Sequence, residues 1–348
     1  MWKIGIVGTG YWSEKHIKAW QFIADAEITG ICDRDAAALN EKSDRFNIPA
    51  AFRYSDVATM LEEADLDVLD IITPPDTHLE LVKLAAAAGK HIMCQKPFAR
   101  SIEEAEEMVR IAEEAGVRLM VTENWRWLEP FQLIKKLLEE NTVGQLNTIR
   151  YIHTDFYSPR FAPEQELPQP FFRDMPHLLF YEMGVHWFDT WRFLFGEPER
   201  LYAETRKVSE YTLGEDSGMV MLGYGEYVGL MDMSWATRRE LSGSLPEQVL
   251  PDHKEQLIIE GDKATIKLYK DGRLSIIDNA GKEKVYAERT ELNYEDSHRK
   301  LQSHFIECLN TGAEFQTSGS DNVKTLRLVF DTYDSAANHN VQRYVEEQ

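Results

Sequence analysis

Lys3-Ile4-Gly5-Ile6-Val7-Gly8-Thr9-Gly10-Tyr11-Trp12-Ser13 carries an apolar strand pattern straight into a glycine-tight turn. Ile28-Thr29-Gly30-Ile31-Cys32-Asp33 repeats the apolar run and ends it on an acid. Gly8 permits the sharp bend out of the strand, and Gly10 leaves no side chain between the backbone and a pyrophosphate. The helix that follows aims its free N–H groups and positive dipole end at that anion. Asp33 falls roughly 20 residues past the turn, where a carboxylate accepts the hydroxyl protons of an adenosine ribose. Strand, turn, helix, second strand and terminal acid together describe a dinucleotide site. Ser13 stands where a third glycine is usual and is a small polar substitute. Asp33 favours NAD over NADP, because a 2′-phosphate beside a carboxylate is repelled. The adjacent Arg34 can offset part of that repulsion or stack on adenine.

A chain of 348 residues exceeds the size at which one core keeps growing, so two domains are expected. A hydrophobic content of 43% and eight tryptophans supply core material for an ordered globular protein. The net charge of −21 argues against nucleic acid or an anionic membrane surface as partner. Three cysteines, scattered and without a CxxC pair, exclude a disulfide framework and a cysteine metal site. The first residues form a core strand with no charged leader, and no apolar run approaches a bilayer's thickness. Cytoplasm is the expected compartment.

Up to about residue 121, short β-branched runs (3–7, 27–32, 68–72, 91–94, 118–121) alternate with amphipathic helices (36–46, 56–63, 78–88, 101–115). Gly89 and Gly116 fall where helix C-terminal caps belong. This order predicts a doubly wound parallel sheet of the Rossmann type over 1–122, with a ligand at the carboxyl ends of its strands. After residue 122 the pattern changes. A helix (129–140), a long strand (145–156), a proline-rich stretch (158–176) and a helix (177–195) are followed by strands at 200–207, 218–224, 227–235, 256–259, 264–269 and 273–278. Helices near 297–310 and 320–338 close the chain. Residues 123–348 are thus expected to form an α+β domain on a mainly antiparallel open sheet.

Three segments carry chemistry. Ile72-Thr73-Pro74-Pro75-Asp76-Thr77-His78 reads as a rigid turn into a helix, with Asp76 or Thr77 as N-cap, and as a stiff edge beside the dinucleotide. Cys94-Gln95-Lys96-Pro97 ends another strand, and a lysine held there can hydrogen-bond a substrate hydroxyl and stabilise a developing alkoxide. In Tyr181-Glu182-Met183-Gly184-Val185-His186-Trp187-Phe188-Asp189, α-helical spacing puts Glu182, His186 and Asp189 on one narrow stripe of an otherwise apolar helix. That stripe is either a satisfied buried network or a histidine base oriented by a carboxylate. No second histidine or cysteine sits at ligand spacing beside it, so no metal is expected.

These dispersed motifs, taken in order with Asn124-Trp125-Arg126, resemble the glucose-fructose oxidoreductase / inositol dehydrogenase / MocA family over nearly the whole chain. The resemblance implies reversible NAD(P)-dependent oxidation of a secondary alcohol in a sugar, cyclitol or polyol. It implies Lys96 and His186 as catalytic groups, with Glu182 where members commonly carry an aspartate and Gln95 where they carry a glutamate. The cofactor would meet Gly8, Thr9, Gly10, Tyr11, Trp12, Asp33 and Arg34 on one side. Thr73, Pro74, Pro75, His78, Gln95, Lys96 and Asn124 would complete its site. Substrate would meet Lys96, Arg126, His153, Asp155, Tyr157, His186 and Asp189, with residues 158–176 and 238–253 shaping the pocket. A homodimer or homotetramer through the C-terminal sheet also follows from the resemblance. Two other activities share these motifs: NAD-dependent glycoside cleavage by transient oxidation, and non-catalytic sensing of a sugar or of NAD.

Overall fold

The computed structural model describes residues 1–167, 169–237 and 255–344. The 238–253 segment expected to shape a pocket lies outside the described residues. The chain divides into two compact units, Met1–Trp127 with Asn293–Arg327, and Leu128–Leu292 with Leu328–Gln348.

The first unit alternates β1 (Trp2–Val7), α1 (Ser13–Phe22), β2 (Ala26–Cys32), α2 (Ala36–Arg45), β3 (Arg53–Tyr54), α3 (Val57–Glu63), β4 (Val68–Ile71), α4 (His78–Ala87), β5 (His91–Cys94), α5 (Ile102–Glu114) and β6 (Leu119–Val121). The strands pair in parallel in the order β3-β2-β1-β4-β5-β6. Strand order reverses between β1 and β4, and a doubly wound sheet opens its ligand crevice at that point. The helix ends follow their sequence signals. Asp35, Asp56 and Ser101 accept backbone N–H groups at the starts of α2, α3 and α5. Gly89 and Gly116 take φ of +67° and +68° just past α4 and α5. One expected cap fails. Residues Pro75–Thr77 form a 3-10 turn before α4, and the Thr77 hydroxyl donates to the Pro74 carbonyl instead of capping the helix.

The second unit opens with α6 (Glu129–Glu139) and β7 (Leu146–Thr154), then a π turn over Phe180–Gly184 leading into α7 (Val185–Phe195). Strands β8 (Arg200–Arg206), β9 (Ser217–Gly223), β10 (Val228–Ser234), β11 (Glu255–Gly261), β12 (Ala264–Tyr269), β13 (Leu274–Asp278) and β14 (Glu283–Ala287) follow. The sheet order is β14-β13-β12-β11-β7-β10-β9-β8, with β7 and β10 parallel and the other neighbours antiparallel. One face is buried under α7. A Cβ at Gly229 would lie 2.1 Å from the Trp191 ring, so glycine there lets helix and sheet meet. The segment read as one continuous helix is widened at its start, where the Glu215 carboxylate accepts the Leu178 and Phe180 N–H groups at 3.1 and 3.0 Å.

The chain then returns through α8 (Tyr294–Thr311) and α9 (Gly319–Asn338) to a short edge strand, β15 (Gln342–Arg343), beside β8. This return corrects the expected boundary at 122/123, because residues 293–327 belong with the first unit. Leu301, Phe305 and Ile306 of α8 join Ile17 and Trp20 of α1 in one core. Thr317 and Val121 exchange backbone and hydroxyl bonds of 2.8 Å at the open side of β6. An amphipathic helix carries the same apolar stripe whichever core it covers, so local pattern cannot assign it. Among the described residues, no helix is long and apolar enough to cross a membrane.

Phe305 is fully buried, stacks on Phe315 at 5.0 Å and meets Trp20 edge-on at 6.3 Å. Phe305→Ala should destabilise the protein by about 3–5 kcal/mol, read from the urea midpoint, if α8 is integral to the first unit's core.

Candidate active site

Gly8 takes φ +100°, and a Cβ there would meet the Ile72 carbonyl oxygen at 2.6 Å, so any side chain would collide with backbone. A Cβ at Gly10 would meet nothing within 4 Å, which leaves open the space that an approaching phosphate needs. Ser13, wholly buried at the head of α1, donates its hydroxyl to the Gly10 carbonyl at 2.7 Å and so serves the turn directly. Asp33 Oδ2 accepts the Thr9 N–H and hydroxyl, both at 2.7 Å, and Oδ1 accepts the Asp35 N–H at 2.9 Å. Two oxygens with about four lone-pair sites keep acceptor capacity for a ribose after these bonds.

These residues open on a cavity of about 590 Å³, which brings together Gly8, Gly10, Asp33, Arg34, Thr73 and Pro74. Sequence reasoning missed other parts of its wall, which include Ser55, Asp56, Ala58, Glu80 and Leu84, while Asp76 belongs to the edge read beside the dinucleotide. Spacing after the second strand pattern could have pointed to the Asp56 cap. Among the described residues, four acids, Asp33, Asp56, Asp76 and Glu80, line this wall against one cation, Arg34. That balance repels an added phosphate and suits NAD over NADP. Cys32 also lines the wall, but burial pushes its thiol up to about 12, so it stays protonated and unreactive.

The other predicted cofactor residues lie in the same unit. Tyr11 is exposed, and Trp12 stacks on His298 at 6.1 Å. His78 is fully buried, its ring nitrogens 3.0 Å from the Phe98 carbonyl and 2.9 Å from that of Thr73. Burial holds its imidazole below the ordinary range. The Asn124 amide donates to Ser297 at 2.7 Å. Pro75 opens the 3-10 turn that follows Thr73 and Pro74. The Gln95 amide reaches His16 at 3.0 Å and the Lys96 N–H at 2.7 Å. Lys96, which follows the end of β5, is itself buried. Arg126 donates to the Gln316 carbonyl at 2.9 Å and pairs with Asp321 at 3.4 Å, which ties down the return segment.

In the second unit Glu182, His186 and Asp189 are all buried, at 6%, 5% and 0% exposure. Glu182 lies in the π turn, where wider winding shifts it from the α-helical angle assumed for the stripe. Such turns recur at functional sites. His153 of β7 faces Trp187 at 5.2 Å. Its imidazole falls to about 4, through burial first and then the positive Lys270, with His186 adding to the push and Asp155 opposing it. His153, Asp155, His186 and Lys270 therefore share one electrostatic neighbourhood. Lys270 donates to the Thr154 carbonyl at 2.9 Å, and burial lowers its ammonium. In sequence it reads only as the start of the Lys270-Asp271-Gly272 turn after β12. Asp155 accepts the Phe156 N–H at 2.7 Å. Tyr157 packs on Phe161 and Trp235 at 5.2 and 5.4 Å, in an aromatic cluster.

Residues 2–123 match the model of an oxidoreductase family with an NAD-binding Rossmann fold, and residues 131–267 match the GFO/IDH/MocA C-terminal domain. The chain belongs to the Gfo/Idh/MocA oxidoreductase family. It is 36% identical over 346 residues to a D-apiose dehydrogenase of Paraburkholderia graminis, covering 96% of this chain and 87% of the relative. It is 33% identical to a D-apiose dehydrogenase of Rhizobium rhizogenes over 97% and 95% of the two chains. A solved oxidoreductase of Agrobacterium radiobacter, in complex with NAD+, L-tartaric acid and magnesium, superposes with a TM-score of 0.87 at 31% identity, over 98% of each chain. As in other members of the family, the first unit is the NAD-binding domain, and the glycine turn and Asp33 fit that cofactor.

The depressed imidazole of His153 makes a stability prediction. The unfolded chain protonates a histidine near 6.5, while the folded one resists down to about 4. Between those values the unfolded state binds more protons, so stability rises with pH across the window. His153→Asn should flatten that rise by up to about 3 kcal/mol, measured as urea unfolding at pH 4.5 and pH 7 against the parent.

Proposed function

We propose that the chain is an NAD-dependent dehydrogenase of a sugar or cyclitol secondary alcohol, with Lys96, His186 and Glu182 as its catalytic groups. The reading is carried by one observation: a nucleotide cleft built for NAD in a chain whose relatives over nearly full length are named as D-apiose dehydrogenases. A relative at 25% identity over 94% of this chain is named myo-inositol 2-dehydrogenase.

Bound NAD supplies the hydride acceptor. The chain's own residues handle the proton and the oxygen. The His186 imidazole takes the hydroxyl proton of the substrate, and Glu182 orients that ring. The Lys96 ammonium donates a hydrogen bond to the oxygen as negative charge builds on it, and the carbinol hydrogen leaves as hydride. Burial of all three groups supports these roles, since desolvated charges act more strongly on a reacting oxygen. Asp189, His153, Asp155 and Lys270 supply donors and acceptors for neighbouring hydroxyls. Arg126 and Tyr157, held by Gln316 and the aromatic cluster, have smaller parts.

The test is NAD reduction followed at 340 nm with D-apiose, inositols and related sugars, alongside NADP. Lys96→Ala and His186→Ala should each lower kcat by a hundredfold or more, of the order expected for an acid–base or oxyanion group, while NAD binding measured by fluorescence persists. Near-parental turnover in either variant rejects the roles assigned.

Self-association through the second unit's sheet is a further part of the proposal, and its occupant is a second copy of this chain. Met219 and Met221 of β9 and Val228 and Leu230 of β10 are exposed side by side on one face, with Leu230 opposite Met221 in register. A contiguous apolar patch of this kind marks an interface. Met221→Glu with Leu230→Glu should convert a sedimenting dimer or tetramer to monomer, and an unchanged assembly refutes this surface.

A further inference from the structure

Behind the Lys96 strand end, four groups form one hydrogen-bonded line whose direction is set from its far end. The Lys96 peptide N–H can only donate, so the Gln95 atom 2.7 Å from it is the amide oxygen. The Gln95 NH2 group therefore faces His16, with Nε2 of the amide 3.0 Å from Nε2 of the ring. An amide NH2 donates and does not accept, so that ring nitrogen presents a lone pair. The proton of the ring then sits on Nδ1, 2.8 Å from Asp70 Oδ2. The same oxygen accepts the Trp20 indole N–H at 2.7 Å. Every bond in the line has one donor and one acceptor, and reversing the Gln95 amide would set two donors against each other at Lys96.

The line is expensive for a core. His16 and Asp70 are 0% exposed and Gln95 6%, and Asp70 lies in a strand whose other residues, Val68, Leu69 and Ile71, are apolar and buried. Asp70 Oδ1 has no hydrogen-bond partner. Buried ionic groups of this sort contribute little net stability compared with apolar residues of similar size. Their value here lies in what they hold.

We propose that Gln95 is a positioning residue, which keeps His16 as the neutral, Nδ1-protonated imidazole and pins the peptide from which the Lys96 side chain springs. This rests on the role given to Lys96 above. A carboxylate in place of the amide inverts the pattern. It accepts from the Lys96 N–H with one oxygen but has nothing to donate to His16. The ring must then bring a second proton and become an imidazolium between two carboxylates, which places a new positive charge directly behind the lysine. Glutamine achieves the same grip on Lys96 with no charge at its own position.

The test uses the full-length, NAD-loaded protein. Histidine side-chain 15N spectra at pH 7, with His16→Gln for assignment, should show one bare and one protonated nitrogen for His16 in the parent. In Gln95→Glu both nitrogens should be protonated. With D-apiose, or the sugar the screen above returns, Gln95→Glu and Gln95→Ala should lower kcat about tenfold or more. A protonated Nε2 in the parent, an unchanged ring in Gln95→Glu, or parental kcat in both variants overturns the proposal. Should Gln95→Ala fail to fold, the near-isosteric Gln95→Glu decides alone. Full turnover in Lys96→Ala combined with the expected ring spectra would instead reject the catalytic reading of Lys96 and leave the His16 tautomer standing.

Discussion

The contact between position 8 and the Ile72 carbonyl is the constraint from which the first unit follows. A side chain there would sit 2.6 Å from a backbone oxygen, and the φ of +100° disfavours all residues but glycine. Because β1 and β4 come this close at their carboxyl ends, α1 starts immediately beyond the turn. Its unpaired N–H groups then address whatever occupies the space in front of Gly10. Ser13 shows how the constraint is shared. Its hydroxyl is spent on the Gly10 carbonyl, and the smallness usually supplied by a third glycine is supplied by a side chain that bonds back to the turn.

Charge is distributed with equal economy. Asp33 is bonded three times by its own surroundings before any nucleotide arrives, so its position is set in advance and little ordering remains for binding to cost. The acids along the cavity wall bias the site against an extra phosphate. In the second unit the balance is reversed locally. Burial, with Lys270 and His186 adding to it, suppresses the charge of His153, and a neutral imidazole can both donate and accept toward hydroxyl groups.

The legible parts of this protein were those written in contiguous residues. Parallel strands, helix caps at Gly89 and Gly116, and the glycine turn all come from interactions within a few positions. Where the reading fell short, the deciding contact was remote. Asp76 or Thr77 looked like an N-cap, but a 3-10 turn absorbs both. The stripe of Glu182, His186 and Asp189 assumed α winding, which the π turn alters. The partners that hold Trp12, His78, Asn124 and Arg126, among them His298, Phe98, Ser297 and Gln316, lie beyond the reach of any local pattern. An acid inside the apolar run Val68-Leu69-Asp70-Ile71 was a visible anomaly, because burying a carboxylate is costly without partners. Those partners, His16 and Trp20, lie some fifty residues away.

By itself, the sequence determined the class of the first unit, its cofactor and the residue types available for acid–base chemistry, because backbone freedom and hydrophobic period act over short stretches. Tertiary structure decided which core α8 joins, that β7 and β10 run parallel, and that Lys270 stands beside His153. The physical reason is that burial and charge depend on every neighbour in space, while a stretch of sequence specifies only the neighbours along the chain.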